Sequence, residues 1–327
     1  FANDPERGVF ILLILAIFMG GALTLYAARA GTMEAKGVFS MVSRESALVL
    51  NNILLAVAAI VVFIGTIWPL LAELFLDRKL SVGAPFFEAA FTPFMIVLAL
   101  ALPLGAVLPW KRARLGRAMR PLWGALALAV AVGATLWAIE TEKTALGPIG
   151  AFLGTWLVAG ALVDIAGRTG RGGLASRLAR LGRLPRADWG KLLAHGGLGI
   201  TFIGISGLMA WQVEDIRVAQ IGEPFEVAGY TVTLDAVRSE NGPNYRSTVA
   251  DMRVERNSDV ITLLHPEKRI YPVQAMPTTE AAIHSSLLRD IYLVIGDPQD
   301  EGGWAVRTFI KPLTVWIWAG CLLMALG

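Results

Sequence analysis

A chain of 327 residues that is 55% hydrophobic and 17% charged, with a mean hydropathy of +0.58, is not the sequence of a water-soluble enzyme. Its net charge of +3 is unevenly spread, with basic residues gathered in alternate connections between apolar runs. The composition reads as a polytopic α-helical membrane protein.

A helix needs about 20 apolar residues to cross roughly 30 Å of hydrocarbon. Six such runs are predicted, at Gly8 to Ala28, Ala47 to Phe75, Ala89 to Leu108, Pro121 to Ile139, Gly147 to Ile165 and Leu192 to Trp211. A seventh, truncated, is predicted to start at Lys311 and run to Gly327. The domains expected are therefore a membrane domain over 1–211, a β-rich extramembrane domain over 212–310 and the start of a final span over 311–327. Pro69, Pro93 and Pro103 should kink or end helices locally.

The first, third and fifth connections carry three, five and seven Lys and Arg residues, whereas the N-terminal stub and the second and fourth carry one, two and one. Cytoplasmic loops retain positive charge, so the stub and the segment after Trp211 are expected outside. The Arg-rich fifth connection is read as a topology signal, with anionic lipid or a cytoplasmic partner as the other reading. Trp68, Trp110, Trp123, Trp137, Trp189 and Trp211 lie near predicted span ends, as interfacial anchors do. The one cysteine, Cys321, has no partner for a disulfide or a CxxC motif.

Between Trp211 and Lys311 the chain turns polar, with 9 basic and 15 acidic residues. The period shifts to two along Tyr230–Ala236 and Ala250–Glu255, with the turn sequence ENGPN between them, so a β-hairpin is expected. Further strands are predicted at Phe225 to Ala228, Ile291 to Gly296 and Trp304 to Ile310, giving a small antiparallel barrel or sandwich. In MPTTEAAIHS, Thr278 or Thr279 could cap a short helix opening on Glu280 and carrying His284. The acidic balance argues against nucleic acid as a partner. His265 and His284 have no companions at metal-ligand spacing and read as surface residues, with contact to a ligand or partner as the alternative.

KLLAHGGLGITFIGISG places His195 early in an apolar run, where an ionisable side chain is costly. Small residues surround it: Gly196, Gly197 and, one turn on, Gly199. Three readings stand from these residues: close helix packing around a hydrogen-bonded histidine, a haem-ligating imidazole with glycines clearing the porphyrin, or a proton or ion relay. Asn51 and Asn52 read as interhelical hydrogen-bonding groups, with a cofactor or quinone site as the alternative, and Asp164 as a solvated cap near Arg168. A secondary transporter suits the intramembrane His, Asn and Pro residues, though no internal hydropathy repeat supports it. A non-catalytic membrane scaffold recruiting partners through the β-rich domain is a further rival.

Six blocks occur in order: FANDPERGVFIL, SRESALVLNNILL, SVGAPFFE, LAHGGLGITFIGI, YPVQAMPTTEAAI and KPLTVWIWAG. Together they resemble the large haem-lyase subunit of bacterial cytochrome c maturation, the CcmF/NrfE family, over the C-terminal half of its usual length. The resemblance implies a multi-pass protein of the bacterial inner membrane with its β-rich domain in the periplasm. It implies transfer of haem from a haem chaperone and its covalent attachment to the CxxCH thiols of apocytochrome c, together with other maturation lyase subunits and lipid.

It further implies a membrane haem b held by two histidines, one matching His195 through its LAHxG context, with Gly196 and Gly199 leaving clearance for the porphyrin. The other histidine, and a Trp-rich external segment, would lie before residue 1, in the N-terminal half of the family. Because Phe1 is not an initiator methionine, a fragment, a processed chain or half of a split gene is expected, and ligation by these residues alone is not.

Overall fold

The computed structural model describes residues 5–33, 38–78, 80–139, 145–170, 172–272, 276–300 and 302–327. Residues 1–4 of the first block, Lys36, Lys79, Lys143 and Arg171 of the charge count, and 273–275 of the YPVQAMPTTEAAI block lie outside them. The chain forms two compact units, Phe1–Leu122 and Trp123–Gly327. Among the described residues, six helical stretches are long and apolar enough to cross a membrane.

The first unit holds α1 (Pro5–Arg29), α2 (Arg44–Leu76), α3 (Ala84–Val107) and the short α4 (Leu115–Met119). Helix α2 is started by Ser43, whose hydroxyl accepts the Ser46 amide at 3.1 Å, a side-chain cap on an otherwise orphaned donor. The neighbouring Glu45 carboxylate accepts the Lys111 amide at 2.8 and 3.0 Å, fixing the turn after α3 where Lys111 has φ +67°. Helices α2 and α3 touch closely at Gly65, where a Cβ would meet the Phe86 ring at 2.6 Å. Pro69 lies inside α2 and Pro93 and Pro103 inside α3, and both helices continue through them. An apolar cavity of about 640 Å³ lies between α1, α2 and α3.

The second unit begins with α5 (Trp123–Ile139), α6 (Leu146–Arg168), α7 (Leu174–Leu181) and α8 (Arg186–Trp211). Among the described residues, ten strands follow before α9 (Thr314–Leu326). The predicted final span thus opens three residues late: Lys311 and Pro312 belong to the last strand, where Lys311 pairs with Asp290 and Pro312 with Arg289.

The strands are β1 (Val213–Ala219), β2 (Pro224–Val227), β3 (Tyr230–Asn241), β4 (Arg246–Arg256), β5 (Asp259–Leu264), β6 (Glu267–Tyr271), β7 (Met276–Glu280), β8 (Ala282–Ser285), β9 (Arg289–Pro298) and β10 (Trp304–Pro312). One sheet has the order β1-β10-β9-β8 and the other β2-β3-β4-β6-β7, with β5 also paired to β4. All of these ladders are antiparallel. Val232, Leu234, Met252 and Val254 from one sheet face Ile291, Leu293, Ile295, Val306 and Ile310 from the other across a closed core. Period-two burial along β4, β9 and β10 is what sheet-on-sheet packing requires, and of the two expected forms the sandwich is the one adopted.

The expected ENGPN hairpin joins β3 to β4. The expected short helix does not form: MPTTEAAIHS is β7 and β8, one an edge strand of each sheet, with the chain crossing between sheets near Ala281. Backbone pairing of Thr278 with Arg269 and of Glu280 with Glu267 satisfies groups that a one-turn helix would leave open. Pro277 is tolerated because β7 has a free edge.

Candidate functional site

Helix α8 is held between α6 and α9, and glycine makes both approaches possible. On one side a Cβ at Gly199 would lie 2.7 Å from Val158 and 2.8 Å from the Gly154 carbonyl oxygen; one at Gly154 would meet the Gly199 carbonyl at 2.7 Å. On the other side a Cβ at Gly197 would meet the Gly320 carbonyl oxygen at 2.7 Å, and one at Gly204 would meet Ile317. Thr201 donates to the Gly197 carbonyl at 3.1 Å, and Ser206 donates to the carbonyl of Gly147 on α6. Small residues that bring backbones together, with hydroxyls bonding to carbonyls, are the usual means of joining helices in lipid.

His195 is half-buried on α8. Residues four apart on a helix share a face, so His195 lies between Lys191 and Gly199, both of which meet α6. Lys191 pairs with Asp164 on α6; Arg168 reaches Asp188 at 2.5 Å and Asp164 at 3.6 Å. The side chains of Asp164 and Lys191 are only 11% and 17% exposed. Asp164 is therefore a largely covered carboxylate shared by two cations, not the solvated cap that its position suggested. Sequence reading missed the Lys191–Asp164 pair because the partners are 27 positions apart. The GxxxG spacing of Gly150 and Gly154 was a legible signal for the α6 contact.

The two glycines expected to clear a porphyrin differ. Gly199 is taken up by α6, which fills the volume beside it, so clearance there is a correction to make. At Gly196 a Cβ would meet no atom within 4 Å, so that position stays open, although one residue along a helix is 100° round its axis from His195. Among the described residues, Asn51 donates to Asn52 at 3.3 Å within α2, not across to another helix. His265 Nδ1 is 2.7 Å from Asp251 Oδ1, and Arg238 also pairs with Asp251. His284 lies on β8 opposite Ile291. Among the described residues no group of three or more His, Cys, Asp or Glu side chains could hold a metal ion.

Carboxylates of the sandwich are tuned by arginines. Arg238 holds the Asp251 carboxyl below its ordinary value, with His265 adding to the effect. Arg269 does the same for Glu267, and Arg217 for Asp215.

Among the described residues, six helices long and apolar enough to cross a membrane, with a sandwich inserted between α8 and α9, define a class: polytopic membrane proteins carrying an extramembrane β domain on paired helices. Residues 210–312 match the family model described as the CcmF C-terminal beta-sandwich. The whole chain is 65% identical to cytochrome c-type biogenesis protein ccl1 of Rhodobacter capsulatus, covering 49% of that protein, and 36% identical to CcmF of Escherichia coli, also covering 49%. A solved structure of cytochrome c heme lyase CcmF superposes with a TM-score of 0.66 at 27% identity, over 88% of this chain and 45% of that one. The chain belongs to the CcmF family of cytochrome c-type biogenesis proteins. It spans about half the length of the curated relatives it matches.

Proposed function

We propose that this chain supplies the membrane half of a cytochrome c haem lyase that carries the sandwich, and that His195 is one axial ligand of a haem b within the membrane. The observation that carries the reading is the identity to cytochrome c-type biogenesis proteins over the full chain, 65% to the ccl1 protein. The residues fit the group in one respect that can be tested on the chain itself: a half-buried imidazole on an apolar helix is a suitable iron donor once neutral. Bound haem b would supply a one-electron couple able to keep an incoming haem iron ferrous.

In this reading α6 and α9 fix the rotation of α8 and so the direction of the imidazole. The Lys191–Asp164 pair, one turn away, keeps a near-neutral local charge. Gly196 leaves one flank of α8 open. The second ligand, and the segment that handles incoming haem, come from the N-terminal half of the family. The sandwich faces the periplasm, consistent with the basic connections on the other side. It docks a haem chaperone, apocytochrome c or other lyase subunits, and the described residues of YPVQAMPTTEAAI on β6, β7 and β8 are the proposed contact surface.

The test is co-purification with a polypeptide supplying the N-terminal half, followed by a reduced-minus-oxidised spectrum. Haem b bands that vanish in His195→Ala are the expected result. Bands unchanged by that substitution overturn the ligand assignment, and solute flux in vesicles with no haem retained overturns the lyase reading.

A further inference from the structure

The tip of the β8–β9 hairpin carries two leucines where turn chemistry calls for other residues. The turn is closed by Ser286, whose amide donates to the Arg289 carbonyl at 3.1 Å and whose hydroxyl donates to the same oxygen at 2.7 Å. Its central residues are Leu287 and Leu288, 69% and 66% exposed. Gly, Asn, Asp and Ser dominate such positions because they accept turn conformations and bond locally; leucine offers neither advantage. A local choice that conflicts with the turn it occupies marks a site serving something other than folding.

Two hydrogen bonds fix the depth of this tip. The Leu313 amide donates to the Leu288 carbonyl at 2.9 Å, and Trp316 Nε1 donates to the Leu287 carbonyl at 2.7 Å. Leu313 packs against Gly207 of α8, where a Cβ would meet its Cδ1 at 2.6 Å. Gly207 is four residues before Trp211, the last residue of α8, and therefore about 6 Å inside the end of that helix at 1.5 Å per residue. The leucine pair is tied to the level of the last turn of a membrane-spanning helix, beside a tryptophan of the kind found at interfaces. The Trp316 indole N–H, which at that depth needs a partner, finds it in the hairpin itself.

We propose that the Leu287–Leu288 tip inserts into the bilayer leaflet on the sandwich side, its occupant being lipid acyl chain. The bonds from Leu313 and Trp316 place the tip beside the first turn of α9, an apolar helix. The sandwich is thus held to the membrane by three elements: α8, α9 and this hairpin.

The test uses the full chain in vesicles of phosphatidylethanolamine and phosphatidylglycerol at three to one. Cys321 is replaced by serine, and L287C, L288C or, as a reference in the β4–β5 turn, S258C is labelled with bimane. Both tethers run through main-chain carbonyls, so neither leucine substitution removes them. Quenching of the 287 and 288 labels by brominated acyl chains and protection from aqueous iodide is expected, with the reverse at 258. Iodide quenching at 287 and 288 equal to that at 258 overturns the proposal. Protection from both quenchers overturns it too, because protein and not lipid then covers the tip.

Discussion

The α6–α8–α9 seam and the β-sandwich are both tightly packed, by opposite means. The seam is closed by residues without side chains: Gly154 on Gly199, Gly197 on Gly320, Gly204 on Ile317. The sandwich is closed by large aliphatics such as Met252, Leu293 and Ile310, each almost wholly buried. In lipid, burying leucine against leucine gains little over leucine against acyl chain, so helices gain by close backbone approach. In water the same leucine gains by leaving solvent, and volume is filled with side chain. One chain thus uses two packing rules, changing over between Trp211 and Val213.

The largest expected effect breaks the seam. Gly199→Leu should prevent folded protein from accumulating in membranes, because the new side chain meets the Gly154 carbonyl, which cannot swing aside, as well as Val158; monodisperse recovery after detergent extraction reports this. Gly196→Ala, three residues away in open space, should leave recovery unchanged. If both variants behave alike, the two faces of α8 do not differ as described.

Next in size, Leu293→Ala should destabilise the sandwich by about 2–5 kcal/mol, read as a lowered denaturation midpoint of strand signal while helical signal persists. Simultaneous loss of both signals would show that the two packing regimes do not melt separately.

Acid comes third. Asp251, Glu267 and Asp215 have folded pKa values depressed by their arginines, so each contributes stability that is complete above its ordinary value, 3.8 for Asp and 4.5 for Glu. That contribution is lost as pH falls through the lower folded values. The midpoint for strand loss should therefore drop on acidification below about pH 4.5, and Arg238→Met should reduce the drop. The smallest effect is Asn52→Ala, within about 0.5 kcal/mol, since Asn52 is exposed and its described bond is to its neighbour Asn51 on the same helix.

Much of this contrast was legible in the residues. Long apolar runs announce spans by composition alone, and all six predicted runs overlap helices. Strands with clean alternation, β3 and β4, were readable for the same reason. The strands β1, β5 and β6 were not, because their burial is partial and their pattern weak. The error at MPTTEAAIHS came from weighing a local cap against nothing, when the deciding partners were Glu267 and Arg269 on another strand. His195 was legible as an anomaly, but the use of Gly199 was not, since only the position of Gly154 decides whether a glycine makes room or is filled.

The two ends of the sandwich sit side by side. Strand β1 leaves α8 and pairs along its whole length with β10, which leads into α9, and α8 and α9 are themselves packed together. The domain stands on two adjacent struts, not on one tether. A single covalent link is a swivel, whereas two parallel links resist twisting. Torque on the sandwich is therefore shared by both struts and met by the α8–α9 contact, so the helix that carries His195 is held against free rotation.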